Sequence, residues 1–148
     1  MALPDDAVAS FQGGCGMTCS QAILSTFGPA YGLGRTESLR VALAFGGGMG
    51  RMGLTCGAVT GAFMVLSLKH TLGNEPGLQK KDKTYAAVRK FSEEFKSRNG
   101  SLLCRDLLGC DLSTPDGSRK ASETEAIKNK CPKYVKDAAE IIEEMLKE

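Results

Sequence analysis

Apolar residues in this chain recur every three or four positions, and no stretch alternates apolar and polar with a period of two. That pattern predicts helices and no strand. The first clear helix runs from about Cys19 to Phe27, with Ala22, Ile23 and Phe27 on one face. Its start, "TCSQ", is a capping box in which Thr18 caps and Gln21 reaches back. Thr36 is placed to cap "ESLRVALAF", a helix that ends in the glycines from Gly46. Thr55 is placed to cap a third, Cys56 to His70, whose Gly and Ala content suits a buried central helix. A long amphipathic helix follows over about Gln79 to Arg98. Its stripe is Tyr85, Val88, Phe91 and Phe95, and Asn99 with Gly100 stops it. Ser101 caps a short turn, "LLCRDLLG", closed by Gly109. After a loop around "STPDG", the last helix is expected to start at Pro132, because a first-turn proline has no N–H to lose. Val135, Ala138, Ala139, Ile142 and Met145 form its apolar stripe. The expected fold is all-α, a single domain over residues 1–148 built as a bundle of about five to six helices.

Composition narrows the function classes. A chain of 148 residues can bury a core without help from metals or disulfides. A net charge of +2 and an aromatic content of 6%, without Trp, give no electrostatic or base-stacking case for nucleic acid. The longest apolar stretch, Leu54 to Leu68, is 15 residues and too short to span a bilayer. "MALPDDAVAS" has no basic segment followed by an apolar one, so the expected location is the cytoplasm. There, six cysteines are expected to bind metal or exchange electrons rather than form structural bridges.

Other motifs fall away on context. "GMGRMG", Gly48 to Gly53, matches G-x-G-x-x-G, but no strand precedes it and no βαβ unit surrounds it, so the glycines read as an inter-helix hinge. His70 is the only histidine. It stands near a helix C-terminus, where a cationic ring suits the helix dipole. No nucleophile elbow and no C-x-x-C pair is present.

The cysteines remain. Cys19, Cys56, Cys104 and Cys131 each fall at a predicted helix start, where unpaired N–H groups and a partial positive charge stabilise a thiolate. Lowering a thiol pKa to about 6.5 makes roughly three quarters of it thiolate at pH 7. Against this stands the tendency of cysteine to act as a small buried hydrophobe. Cys15 lies four residues before Cys19, close enough to act as a resolving thiol. Cys110 falls just past a predicted helix end.

These residues resemble the C-GCAxxG-C-C family of putative redox-active proteins, from "CSQAILSTF" to "CPKYVKDAAEIIEE". The C-G-A-x-x-G element is Cys56, Gly57, Ala58 and Gly61, within "GGGMGRMGLTCGAVTGAFMVL". The other motif cysteines fall on Cys19, Cys104 and Cys131, while Cys15 and Cys110 lie beyond the motif. The resemblance implies a small helical prokaryotic protein, often encoded beside transporters or oxidoreductases.

Three functions stay open. One is thiol–disulfide exchange among the four motif cysteines, with Cys56 as the first choice of attacker. Another is a four-thiolate zinc or iron–sulfur site made by Cys19, Cys56, Cys104 and Cys131. Their spacings of 37, 48 and 27 residues fit no zinc finger or ferredoxin run. The last is a non-catalytic helical module serving an oxidoreductase or transporter. The expected partner is a redox protein or transporter component, with no nucleic acid and no membrane, and the Gly/Ala-rich surfaces suit a homodimer.

Overall fold

A computed structural model describes residues 3–12 and 16–148, in which eight α-helices and two short 3₁₀ turns form one helical domain. The α-helices are α1 (Leu3–Gln12), α2 (Cys19–Phe27), α3 (Arg35–Ala42), α4 (Gly57–His70), α5 (Gly77–Asn99), α6 (Cys104–Leu108), α7 (Pro115–Glu123) and α8 (Ala126–Leu146). Among the described residues no strand occurs, and the only β-type pairing is a single antiparallel bridge between Thr55 and Leu103. None of the described helices is long and apolar enough to cross a membrane.

At the centre lies α4, buried from Gly57 through Ala62 and again at Val65 and Leu66. It packs against α2, α5 and α8, while α1 lies along α8 and α2. Its small residues permit the approach. A Cβ on Gly61 would stand 3.0 Å from both the Ile23 Cβ and the Ser20 carbonyl oxygen, so α2 crosses α4 at nearly backbone contact. On the other side of α4, Phe91 and Phe95 of α5 are fully buried and stack on each other, and Phe63 meets Phe91 edge-on.

Helix α2 starts as its sequence predicts. The Thr18 hydroxyl accepts from the Gln21 N–H at 3.2 Å, and the Gln21 side chain accepts from the Thr18 N–H at 2.9 Å. Helix α5 ends at Asn99 with Gly100 in the left-handed region, and all five residues of the α8 stripe are buried.

Several expectations are corrected. The described residues form eight helices rather than five to six: α1 was not anticipated, and α7 starts within the stretch expected as a loop around "STPDG". Thr114 caps α7 and Pro115 opens it, while Gly117, which resembles a turn residue, is glycine because the Asp111 backbone lies directly against it. Gly34, not Thr36, is the N-cap of α3, and the expected end of that helix is a 3₁₀ turn at Leu43–Phe45. Cys56 rather than Thr55 is the N-cap of α4, with no side-chain cap, because Thr55 is taken up by the bridge to Leu103. Tyr85 is 52% exposed, and Thr84 and Ala87 take the buried positions beside Phe91. Finally, α8 begins at Ala126, so Pro132 lies inside it. The N–H it lacks would have bonded the carbonyl of Lys128, whose position is exposed to water.

Candidate functional site

Cys19 is the first residue of α2, held there by the capping box. Gly57, which follows Cys56, is the contact that brings the second cysteine close. A Cβ there would lie 3.0 Å from the Ser20 nitrogen and 3.2 Å from the Cys19 Cβ. Helix starts carrying Cys19 and Cys56 therefore meet at the crossing of α2 and α4.

Cys104 arrives by another device. The Cys56 N–H donates to the Leu102 carbonyl at 2.8 Å, and the Cys104 N–H donates to the Leu54 carbonyl at 2.6 Å. These two bonds frame the Thr55–Leu103 bridge. Side chains alternate across such a pairing, so Cys56 and Cys104 emerge on the face opposite Thr55 and Leu103. Gly48 lies over Cys104 with φ +72°, and a Cβ on it would come within 2.6 Å of the Cys104 Cβ. The glycine segment around it is no loose hinge. Six backbone bonds run from the N–H groups of residues 49–54 back to the carbonyls of Ala44, Phe45, Gly46, Gly47, Gly48 and Met49.

Helix α8 supplies the fourth thiol from its second turn rather than its first, which corrects the expected helix-start position of Cys131. Two α8 side chains fasten α6 beside it. The Tyr134 hydroxyl donates to the Leu107 carbonyl at 2.7 Å, and the Lys130 ammonium donates to the Leu108 carbonyl at 2.9 Å. Cys104 and Cys131 share a small apolar cluster with Cys110, Leu108, Leu112 and Ala121, and Cys19 packs against both this cluster and the main core. All four expected cysteines line one cavity of about 1250 Å³, with Tyr134 and Leu107 in its wall and Arg51 and Lys128 among its polar lining.

Burial and hydrogen bonding set the thiols apart. Cys19 packs against the cluster that holds Cys131. The interaction of the two thiols lowers the Cys131 pKa below the ordinary thiol value, against the effect of burial. The same interaction, followed by burial and the charge of neighbouring thiolates, raises Cys19. Burial pushes Cys56 up to about 12, although the backbone N–H groups of Ala58 and Val59 at the start of α4 pull the other way. Cys104 rises to about 11, from burial and then from Cys131 and Cys110, with Arg51 opposing. Helix starts were expected to make thiolates, but at Cys56 desolvation outweighs the amide donors. His70, half-buried beside Lys69 and Lys83, has its pKa lowered by burial and then by those lysines, so the cationic form is disfavoured there.

Among the described residues Cys19, Cys56, Cys104, Cys110 and Cys131 are all free thiols, and no disulfide is formed. Among them, too, no three His, Cys, Asp or Glu side chains stand in place to hold a metal ion. Cys15 lies outside the described residues. Sequence reasoning did not single out Tyr134, although its place three residues after Cys131 puts it on the same helix face. Nor did it anticipate that Cys110 joins the cluster.

A sequence model of the family described as putative redox-active protein (C_GCAxxG_C_C) matches residues 17–145. The chain belongs to that family. No curated protein and no solved structure matches it significantly.

Proposed function

We propose that this chain carries electrons by thiol–disulfide exchange, with Cys131 as the attacking thiolate and Cys19 as the resolving thiol. The observation that supports this reading is the packing of Cys19 against the cluster that holds Cys131, where the interaction of the two thiols lowers the pKa of Cys131 and raises that of Cys19. One partner is thereby held as the nucleophile while the other keeps its proton until it is needed. Both open onto the same cavity, so an incoming disulfide can reach them.

In the first step the Cys131 thiolate attacks one sulfur of a substrate disulfide. A Cys131–substrate mixed disulfide forms, and the other substrate sulfur leaves as a thiolate. Cys19 then gives up its proton to that leaving thiolate and attacks the Cys131 sulfur. The Cys19–Cys131 disulfide closes, and the second substrate sulfur leaves and takes a proton from water. Two electrons have passed to the substrate, which a redox partner protein or a small disulfide supplies. Cys56, which the sequence put first as attacker, serves poorly because burial holds its proton to about pH 12.

A second reading has its own support. Cys56 stands at the N-cap of α4, and Cys19, Cys56, Cys104 and Cys131 open on one cavity, as a zinc or iron–sulfur site would require. The sulfurs must move closer to ligate together.

Anaerobic purification, metal analysis, a visible spectrum and thiol counting separate the two. Reversible loss of two thiols without metal, with Cys19 joined to Cys131 in peptide maps, is the expected result. Stoichiometric metal that protects about four thiols overturns it in favour of the metal centre.

A further inference from the structure

We propose that Cys110, which lies outside the family's four-cysteine motif, is a fifth redox thiol that closes a disulfide with Cys104, giving a second electron-carrying pair behind Cys19 and Cys131. The proposal rests on the exchange reading above and extends it.

Four observations place the pair. Cys104 and Cys110 belong to the same buried apolar cluster, 7% and 8% exposed, and Cys131 is a member of it. Cys104 opens α6, a helix of only five residues, and Gly109 reverses the chain in the left-handed region after it, immediately before Cys110. Cys110 lies within electrostatic reach of Cys104 and, after burial and Cys131, adds to what holds up its thiol. The Cys110 thiol donates to the Leu108 carbonyl at 3.7 Å, and the Lys130 ammonium donates to that same oxygen. One carbonyl thus ties both the Cys110 thiol and α8 to the end of α6.

Position gives the pair its role. Cys19 is partly exposed, whereas Cys104 and Cys110 are buried, and Cys131 packs with both. Once a substrate has oxidised Cys19 and Cys131, the Cys104 thiolate attacks the Cys131 sulfur and expels the Cys19 thiolate. Cys110 then attacks the Cys104 sulfur and expels Cys131. Cys19 and Cys131 are left reduced, ready for a second substrate, and Cys104–Cys110 holds the oxidation. Of the two protons lost by Cys104 and Cys110, one returns to Cys19 and the other passes to water, so that Cys131 is again the thiolate. The substrate disulfide is the only oxidant required, and the full chain then delivers four electrons rather than two.

Arg105 makes the test direct, because trypsin cuts after Arg98, Arg105 and Arg119 and puts Cys104 and Cys110 on separate peptides, 99–105 and 106–119. Reduced protein is titrated anaerobically with oxidised glutathione, then alkylated in denaturant and mapped by mass spectrometry. The expected result is a 99–105/106–119 cross-link at low oxidant, because the first disulfide passes inward, and an additional Cys19–Cys131 cross-link at high oxidant. In Cys110→Ala, and in Cys110→Ser as a second variant, the Cys19–Cys131 cross-link persists and the electron capacity falls from four to two. Cys110 recovered fully alkylated after exhaustive oxidation, or Cys104 joined to any other cysteine, overturns the proposal. Absence of the Cys19–Cys131 cross-link in the wild type and both variants instead overturns the exchange reading itself.

Discussion

Gly48 offers a quantitative test of how the glycine segment seats Cys104. Its φ is +72°, and an added Cβ would lie 2.6 Å from the Cys104 Cβ, 2.7 Å from the Leu54 nitrogen and 2.9 Å from the Leu54 carbonyl oxygen. Two costs therefore meet in Gly48→Ala. The left-handed backbone costs an L-residue about 1–2 kcal/mol. Forcing a methyl into a filled site costs about 1–3 kcal/mol more. Gly73 separates these terms, since it has φ +89° and nothing within 4 Å of its would-be Cβ. Gly73→Ala carries the backbone term alone, about 1–2 kcal/mol. Both variants lose the same unfolded-state freedom, so that contribution cancels in the comparison. In urea titrations Gly48→Ala is expected to be less stable than Gly73→Ala by about 1–3 kcal/mol, with a midpoint temperature about 2–12 °C lower. Cys104 alkylation is also expected to quicken in Gly48→Ala and not in Gly73→Ala. Equal stability of the two variants would refute the claim that Gly48 is glycine for contact with Cys104.

Phe91→Ala empties a fully buried site between Phe63 and Phe95 and is expected to cost about 3–5 kcal/mol in chemical denaturation. Alkali should destabilise the fold. Cys56 and Cys104 keep their protons to about 12 and about 11 when folded but ionise near 9 when unfolded. Stability is thus full below pH 9, and between 9 and 11 it falls by about 1.4 kcal/mol per pH unit for each thiol. A urea midpoint independent of pH across that window would contradict the raised values. Tyr134→Phe removes the bond to the Leu107 carbonyl, costs about 1 kcal/mol, and should speed Cys104 alkylation by loosening α6 from α8. Burial is the main cause that holds up Cys56 and Cys104, and Cys131→Ser removes the charge that adds to it, so alkylation of both should begin at somewhat lower pH, and an unchanged profile would show that burial alone sets them.

Legibility in the sequence followed the range of the interaction. The capping box at Thr18 and Gln21, the α8 stripe and the stop at Asn99–Gly100 are local signals, and each is found where the residues put it. Local signals misled where a distant segment claimed the residue. Thr55 has a cap residue's chemistry, but its place is fixed by Leu103, 48 residues away. Pro132 looks like a helix start, yet the Ala126 turn packs into the Cys104 cluster and draws the helix back past the proline. Convergence of the four cysteines was legible as a pattern of types, and the family motif carried the same four. Their individual ionisation was not, because N–H donors are written in the local sequence and desolvation is written in the tertiary packing.

That separation bears on how the site works. The charge of a Cys131 thiolate raises Cys19, Cys56 and Cys104 together, and it reaches Tyr134 as well. An apolar cluster with one ionised sulfur therefore resists a second, since a like charge in a poorly solvated space is disfavoured twice, by repulsion and by burial. Closing a disulfide at Cys131 removes that charge and relieves the repulsion on Cys104. The thiol next in line becomes easier to ionise only after the first pair is oxidised. On the exchange reading, this orders the chemistry without a moving part: the pair nearest the opening reacts first, and the buried pair is released to follow it.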